Sequence, residues 1–169
     1  MTEAAQYPVR LQGGDTASGL ADMIHQYLSQ NCADSPRKVR QARSLKGEVF
    51  MRAAEDDAIC VRIRFFNDGI ELTDVEAMPQ GAASIKADFI SVAHLTTGEE
   101  GPFGLLVKRK MAVSFRPGQI PFLVGVLRFM QIPDELREPG EGGGNAKWWI
   151  AGTLAAGAAG GAVYWYMHN

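Results

Sequence analysis

The stretch that decides the fold of this chain is Val61-Arg-Ile-Arg-Phe-Phe-Asn-Asp-Gly-Ile-Glu-Leu72. Its first half alternates apolar and basic residues, the period of two that is typical of a β-strand with one buried face. Asn67-Asp68-Gly69 follows as a turn signal, and apolar residues recur at Ile70 and Leu72. The stretch therefore predicts a β-hairpin.

Apolar and polar residues also alternate on both sides of this hairpin. The segment before it, residues 45–52, predicts a strand that completes a three-stranded antiparallel meander. After a turn signal at Pro79-Gln80-Gly81, residues 83–87 mark a fourth strand and residues 111–115 a fifth. The pattern thus indicates a sheet of five strands.

Four segments have helical signals. Apolar residues from Leu20 to Leu28 follow a helical stripe, with Asp15 or Thr16 as the expected cap, and the basic segment 36–44 is a second candidate helix. Asp88 is expected to cap a helix that Gly98 ends. Residues 119–132 predict a closing helix that is apolar almost all round. We therefore expect an α+β fold, a five-stranded, mostly antiparallel sheet covered by helices.

The C-terminal segment from Trp148 to Met167 predicts one transmembrane helix. It contains no charged residue and has about the length that crosses a bilayer. Aromatic residues stand at both ends, as expected at membrane–water interfaces, although the segment between them is mostly Ala and Gly. The alternative is a Gly/Ala-rich helix that is buried against a partner protein.

The predicted organisation has four parts. Residues 1–15 form a flexible arm, 16–132 the folded domain, 133–146 a Gly/Pro/Glu linker and 147–169 the membrane anchor. Lys147 precedes the span and no basic residue follows it, so we expect a single-pass protein whose N-terminal domain is cytoplasmic. The first residues resemble no signal peptide. Small residues spaced four apart would let the helix self-associate or dock onto a membrane protein complex; these are Gly152, Ala156, Gly157, Gly160 and Gly161.

The sequence has no pattern that indicates catalysis or metal binding. The three histidines, His25, His94 and His168, are scattered, and the two cysteines have neither metal nor redox spacing. Nucleotide-binding and nucleophile motifs do not occur. We therefore expect a protein that is not an enzyme and needs no cofactor or metal, apart from a bound lipid.

The sequence contains two clusters of basic residues. One runs from Arg37 to Lys46 and the other is Lys108-Arg109-Lys110. Such runs are usually solvated faces, but beside a membrane they can also attract anionic lipid headgroups. The net charge of −2 and the lack of an aromatic platform argue against nucleic-acid binding.

The order of these elements resembles that of the sterol carrier protein 2 type of lipid-binding domain. Residues 61–72 look like the family's central hairpin, residues 83–98 like its strand, Asp-led helix and glycine, and residues 111–132 like its last strand and closing helix. The resemblance spans about residues 20–132. One departure is Arg116-Pro117-Gly118, where the family often has Gly-Asp.

This resemblance implies an apolar tunnel between sheet and helices that holds a fatty acyl chain, a sterol-like lipid or an isoprenoid. The residues expected to line it are Phe89, Ile90, Leu95, Leu105, Leu106, Phe115, Phe122, Leu123, Val126, Leu127 and Met130. The leading interpretation is a membrane-tethered domain that holds or presents an apolar lipid. The alternative is a non-enzymatic assembly subunit of a membrane protein complex, whose fold is filled by its own side chains. Phe122 and Phe129 filling the tunnel would favour the alternative.

Overall fold

A computed structural model describes residues 7–131 of the 169-residue chain. The strands are β1 (Val9–Leu11), β2 (Gly47–Ala53), β3 (Cys60–Phe65), β4 (Ile70–Asp74), β5 (Ser84–Ala87) and β6 (Met111–Ser114). The helices are α1 (Gly19–Asp34), α2 (Pro36–Ser44), α3 (Phe89–Thr97), α4 (Pro102–Val107) and α5 (Ile120–Phe129), with short 3₁₀ turns at Gly14–Thr16 and Pro117–Gln119. The α+β prediction is confirmed.

The strands form one mixed sheet in the order β1-β4-β3-β2-β5-β6. The predicted meander is present, because β2 pairs with β3 and β3 with β4, both antiparallel. The prediction of five strands was wrong, since residues 7–131 contain six. Three of the five pairings are antiparallel, as predicted for most of the sheet, whereas β1 with β4 and β2 with β5 are parallel. After β4 the chain crosses to the far side of β2, where β5 runs in the same direction as β2.

The two faces of the sheet differ in chemistry, as the period of two predicts. Val49 lies opposite Ile63, and Ile63 lies opposite Leu72; all three belong to the buried apolar cluster. The alternate residues of β3, Arg62 and Arg64, lie on the other face, where their side chains are partly or fully exposed. The helices therefore cover the face that carries the apolar side chains.

The sixth strand, β1, lies in the segment that the sequence assigned to a flexible arm. The Tyr7 hydroxyl donates to the carbonyl oxygens of Phe66 (2.6 Å) and Gly69 (3.0 Å), at the β3–β4 turn. A Cβ at Gly69 would lie 2.8 Å from the Pro8 carbonyl oxygen, so this turn needs a glycine for β1 to approach. A three-residue strand is too short for its periodicity to be read from sequence, and this tertiary contact determines it.

Ser18 and Ser35 set the bounds of the first two helices. Ser18, and neither Asp15 nor Thr16, is the N-cap of α1, and its hydroxyl accepts from the Ala21 backbone N–H at 3.2 Å. Ser35 separates α1 from α2 and accepts from the Lys38 backbone N–H. Helix α2 has the bounds that the sequence predicted, with Pro36 in its first turn.

Candidate functional site

The predicted tunnel residues come from α3, α4, the end of β6 and α5. Six of the eleven are buried in the common apolar cluster: Leu95, Leu105, Leu123, Val126, Leu127 and Met130. Four are partly exposed and pack against that cluster: Phe89, Leu106, Phe115 and Phe122. Ile90 is 67% exposed. Ten of the eleven residues therefore belong to the domain core or pack against it, whereas Ile90 is mainly at the surface. Whether any of them contacts lipid stays a prediction.

Helix α3 is oriented by its first turn. The Asp88 carboxylate caps the helix by accepting from the Ser91 backbone N–H at 2.6 Å, and this hydrogen bond holds the pKa of Asp88 below its ordinary value. The Glu55 carboxylate accepts from the Phe89 backbone N–H at 2.8 Å. Gly98 ends the helix in the left-handed region at φ 82°, as predicted. These contacts fix Phe89 against the core and leave Ile90 exposed.

Helix α4 is a single amphipathic segment that the sequence described only as apolar and short. Leu105 is fully buried, Leu106 is partly exposed and Val107 is 61% exposed. Phe103, in the same helix, also packs partly exposed against the cluster. Phe103 was missing from the predicted set, although its position in the apolar run that contains Leu105 and Leu106 is a signal that identifies it.

Helix α5 closes the cluster against the sheet. The Phe65 ring of β3 makes edge-to-face contacts with Phe122 and Phe129, with ring centroids 6.0 and 5.8 Å apart. A Cβ at Gly125 would lie 2.5 Å from the Leu45 side chain, so the glycine lets α5 approach the start of β2. Phe129 is fully buried, whereas Phe122 is partly exposed. At this end of the sheet, the two rings occupy the space beside Phe65.

The C-terminus of α5 is held by polar groups from α1 and α2. The Lys38 ammonium donates to the backbone carbonyls of Arg128 (2.9 Å), Phe129 (2.8 Å) and Gln131. The Tyr27 hydroxyl donates to the Met130 carbonyl. The Lys38 side chain is buried, so its charge is stabilised by carbonyl dipoles at the negative end of a helix.

Among the histidine and cysteine side chains of residues 7–131 that could take part in chemistry, His94 is paired at the surface and both cysteines are buried as neutral groups. His94 lies 3.4 Å from Glu99 at the surface. Burial raises the pKa of the Cys32 thiol to about 11 and also raises that of Cys60, so both are kept as thiols near neutral pH. Among residues 7–131, no group of His, Cys, Asp and Glu side chains is placed to hold a metal ion.

A separate cleft of about 350 Å³ lies beside β1. It is lined by Tyr7, Pro8, Val9, His25, Ser29 and Ala33. His25 is hydrogen bonded through Nε2 to the Val9 carbonyl at 3.1 Å. None of the predicted tunnel residues lines this cleft, so it is distinct from the site that the sequence predicted.

The predicted membrane anchor, residues 147–169, lies outside the part of the chain that the structure describes. None of the helices within residues 7–131 combines the length and the apolarity that crossing a bilayer requires. The linker 133–146, the span and its small residues Gly152, Ala156, Gly157, Gly160 and Gly161 lie outside the described residues. The membrane anchor and the cytoplasmic orientation remain predictions.

Comparisons with known proteins find likeness only among solved structures. No protein-family model and no curated protein sequence matches the chain. A UbiJ-SCP2 ubiquinone synthesis protein is 12% identical, with a TM-score of 0.47, over 66% of this chain and 92% of that one. A crystal structure of sterol carrier protein 2 is 13% identical, with a TM-score of 0.47, over 62% and 88%. Sterol carrier protein 2 from Yarrowia lipolytica, in its apo form, is 15% identical, with a TM-score of 0.43, over 72% and 96%. Membership of the sterol carrier protein 2 family stays a prediction.

Proposed function

We propose that this protein is a lipid-binding module that holds or presents an apolar lipid, of the fatty acyl, sterol-like or isoprenoid class, at a membrane. The observation that carries the proposal is a set of phenylalanine and leucine side chains that pack against the core and stay partly exposed. Four of the eight phenylalanines belong to it; the group is Phe89, Phe103, Leu106, Phe115 and Phe122. We call it the apolar rim.

The apolar rim has a physical cost that a bound lipid would offset. Partly exposed phenylalanines leave apolar area in water, and each Å² that a ligand covers contributes about 25 cal/mol. The group comes from separate segments, and α4 packs against both β6 and α5. Exposed apolar side chains of this kind can be covered by an apolar ligand or by a partner protein.

One observation favours a second candidate function, an assembly subunit without a ligand. Phe122 and Phe129 both pack against Phe65, so the fold's own rings occupy part of the space between α5 and the sheet. In that case the apolar rim would be covered by a partner protein. The two proposals differ in whether the purified protein carries lipid.

The test is lipid uptake by the purified full-length chain, followed with a fluorescent fatty acid and by mass spectrometry of co-purified lipid. Leu123→Trp adds volume at a buried position of α5, and we expect uptake to fall at least about 10-fold, with an overpacking cost of about 1–3 kcal/mol in stability. Arg128→Trp, at an exposed position of the same helix, is the matched control and should leave uptake unchanged.

Leu106→Glu keeps the test decisive if the Trp variant does not fold. It places a charge on the apolar rim at a partly exposed position, where no overpacking is needed. Uptake that persists in both variants would show that the lipid site is elsewhere. A wild-type protein that neither carries nor takes up lipid would instead favour the assembly subunit.

A further inference from the structure

The two basic groups of the sequence have different surroundings in the fold. In the group Lys108-Arg109-Lys110, both lysines pair with the Glu100 carboxylate, Lys110 at 3.7 Å. The hydrogen bond from Lys108 is the main cause that lowers the pKa of Glu100. This group is therefore partly neutralised within the domain and is a weak candidate for binding an external anion.

Three exposed cations of the other basic group, on α2 and just after it, have no such compensation among residues 7–131. Arg40, Arg43 and Lys46 are exposed and form no ion pair with a carboxylate in residues 7–131. The sequence from Pro36 to Gly47 contains no acidic residue. The guanidinium of Arg43 lies 5.8 Å from the centre of the Tyr7 ring, which holds that side chain beside the domain surface.

Helix α2 has one buried face and one face that points outward. Lys38 and Ala42, four residues apart, are buried on one face of the helix. At 100° per residue, Arg40 and Arg43 lie on the opposite face, which also includes Arg37. The same face carries the exposed ring of Pro36, so it offers cations to an anionic surface and little apolar area to insert into it.

Helix α2 also lies beside the point where the described chain ends. Lys38, on the inner face of the same helix, donates to the carbonyl of Gln131. The segment predicted to be linker and membrane anchor begins at Pro133, two residues after Gln131. A tether that starts beside α2 keeps this helix near the surface to which the tether is attached.

We propose that the exposed cations of α2 and its C-terminal flank, Arg40, Arg43 and Lys46, form a surface that docks the module onto anionic phospholipid headgroups. This inference rests on the proposed function, since it names the face by which a lipid-binding module would meet its membrane. The attraction is electrostatic, so it weakens when salt shortens the screening length from about 10 Å at 0.1 M to about 3 Å at 1 M.

The experiment measures binding of the full-length chain to vesicles by flotation. Vesicles of phosphatidylcholine alone are compared with vesicles that contain about 30% phosphatidylserine, a charge density at which basic residues near the surface contribute to binding. The triple variant Arg40→Gln, Arg43→Gln and Lys46→Gln is compared with a matched variant that loses the same charge elsewhere, Arg10→Gln, Arg64→Gln and Arg109→Gln, all exposed positions.

We expect the wild-type chain to prefer the phosphatidylserine vesicles, and the α2 variant to lose about 100-fold of that preference. The matched variant should keep most of it, and 1 M salt should remove it from the wild type. Equal losses in both variants would overturn the proposal, because they would indicate net charge rather than this face.

Two further outcomes would also overturn it. One is a wild-type chain with no preference for phosphatidylserine. The other is a carbodiimide cross-link, formed without vesicles in a wild-type chain that shows no such preference, from Lys46 to Asp134, Glu135, Glu138 or Glu141. Such a cross-link would show that the acidic segment of the same chain, and not a membrane, covers the basic face. Lipid uptake by the same variants separates the two proposals: uptake without docking contradicts only this one, and docking without uptake contradicts only the proposed function.

Discussion

A single residue, Arg109, has a backbone conformation that its side chain disfavours. Among the described residues it is the only one other than glycine with a positive φ, 58°. Its backbone N–H donates to the Leu106 carbonyl at 3.1 Å, and that of Lys110 donates to the Leu105 carbonyl at 2.9 Å. These two bonds form a Schellman motif that ends α4, in which the position of Arg109 is usually occupied by glycine.

Arg109→Gly should therefore stabilise the domain. The left-handed conformation costs an L-residue about 1–2 kcal/mol, and glycine avoids this cost. Glycine loses more chain entropy on folding, however, which takes back about 0.5–1 kcal/mol of the gain. We expect the free energy of unfolding in urea to rise by about 0.5–1 kcal/mol. Lys108→Gly, one residue earlier at φ −77°, is the control and should lower it. A loss of stability in Arg109→Gly would mean that the arginine side chain makes a contact that outweighs its backbone cost.

At the scale of the element, the end of α5 depends on a residue that is 90 positions earlier in the chain. Lys38 satisfies carbonyls that the last turn of a helix leaves without partners, and its ammonium lies 5.8 Å from the centre of the Phe129 ring. This interaction joins α2 to α5. The same helix thus stabilises the core with its inner face and presents the basic residues with its outer face.

Lys38→Met should destabilise the domain by about 2–4 kcal/mol, because buried carbonyls lose charged hydrogen bonds and the favourable helix-terminus charge. Arg40→Met, on the exposed face of the same helix, should change the free energy of unfolding by less than about 0.5 kcal/mol. Both are measured by urea denaturation at neutral pH. Equal effects in the two variants would show that the buried contacts of Lys38 contribute little.

At the scale of the whole molecule, the core encloses groups that become anionic only at high pH. Burial is the main cause that raises the pKa of Cys32 to about 11 and that of Tyr7 to about 12, and it also raises that of Tyr27. Each pKa is higher in the folded protein than in the unfolded chain. The folded state therefore binds these protons more tightly, and their contribution to stability is lost as the pH rises.

We expect the free energy of unfolding to fall as the pH rises from about 9, the ordinary pKa of a thiol, through about 11. Cys32→Ala should reduce the slope of stability against pH in that window, and Tyr7→Phe should reduce it between about 10 and 12. Chemical denaturation at a series of pH values measures both slopes. Slopes that match the wild type in both variants would contradict the assigned protonation.

Local patterns predicted the elements that depend on local chemistry. The alternation in residues 61–72 gave the hairpin, Asp88 and Gly98 gave the two ends of α3, and Pro36 gave the start of α2. Ten of the residues that the resemblance implied around a tunnel belong to the core or pack against it, because apolar side chains on amphipathic elements are driven to the interior. Ile90 departs from that set, because the orientation of α3 leaves it exposed.

The sequence by itself determined the α+β composition, the meander and the apolar character of α5, since hydrophobic periodicity, capping and turn residues act within a few positions of the chain. Only the tertiary structure decided that β1 joins the sheet, that β5 runs parallel to β2, and that Lys38 is buried on α5 while the neighbouring cations face outward. Those outcomes depend on contacts such as Tyr7 with Phe66 and Lys38 with Phe129, 59 and 91 positions apart, which no local pattern contains. Burial and charge compensation across such distances exist only once the chain has folded.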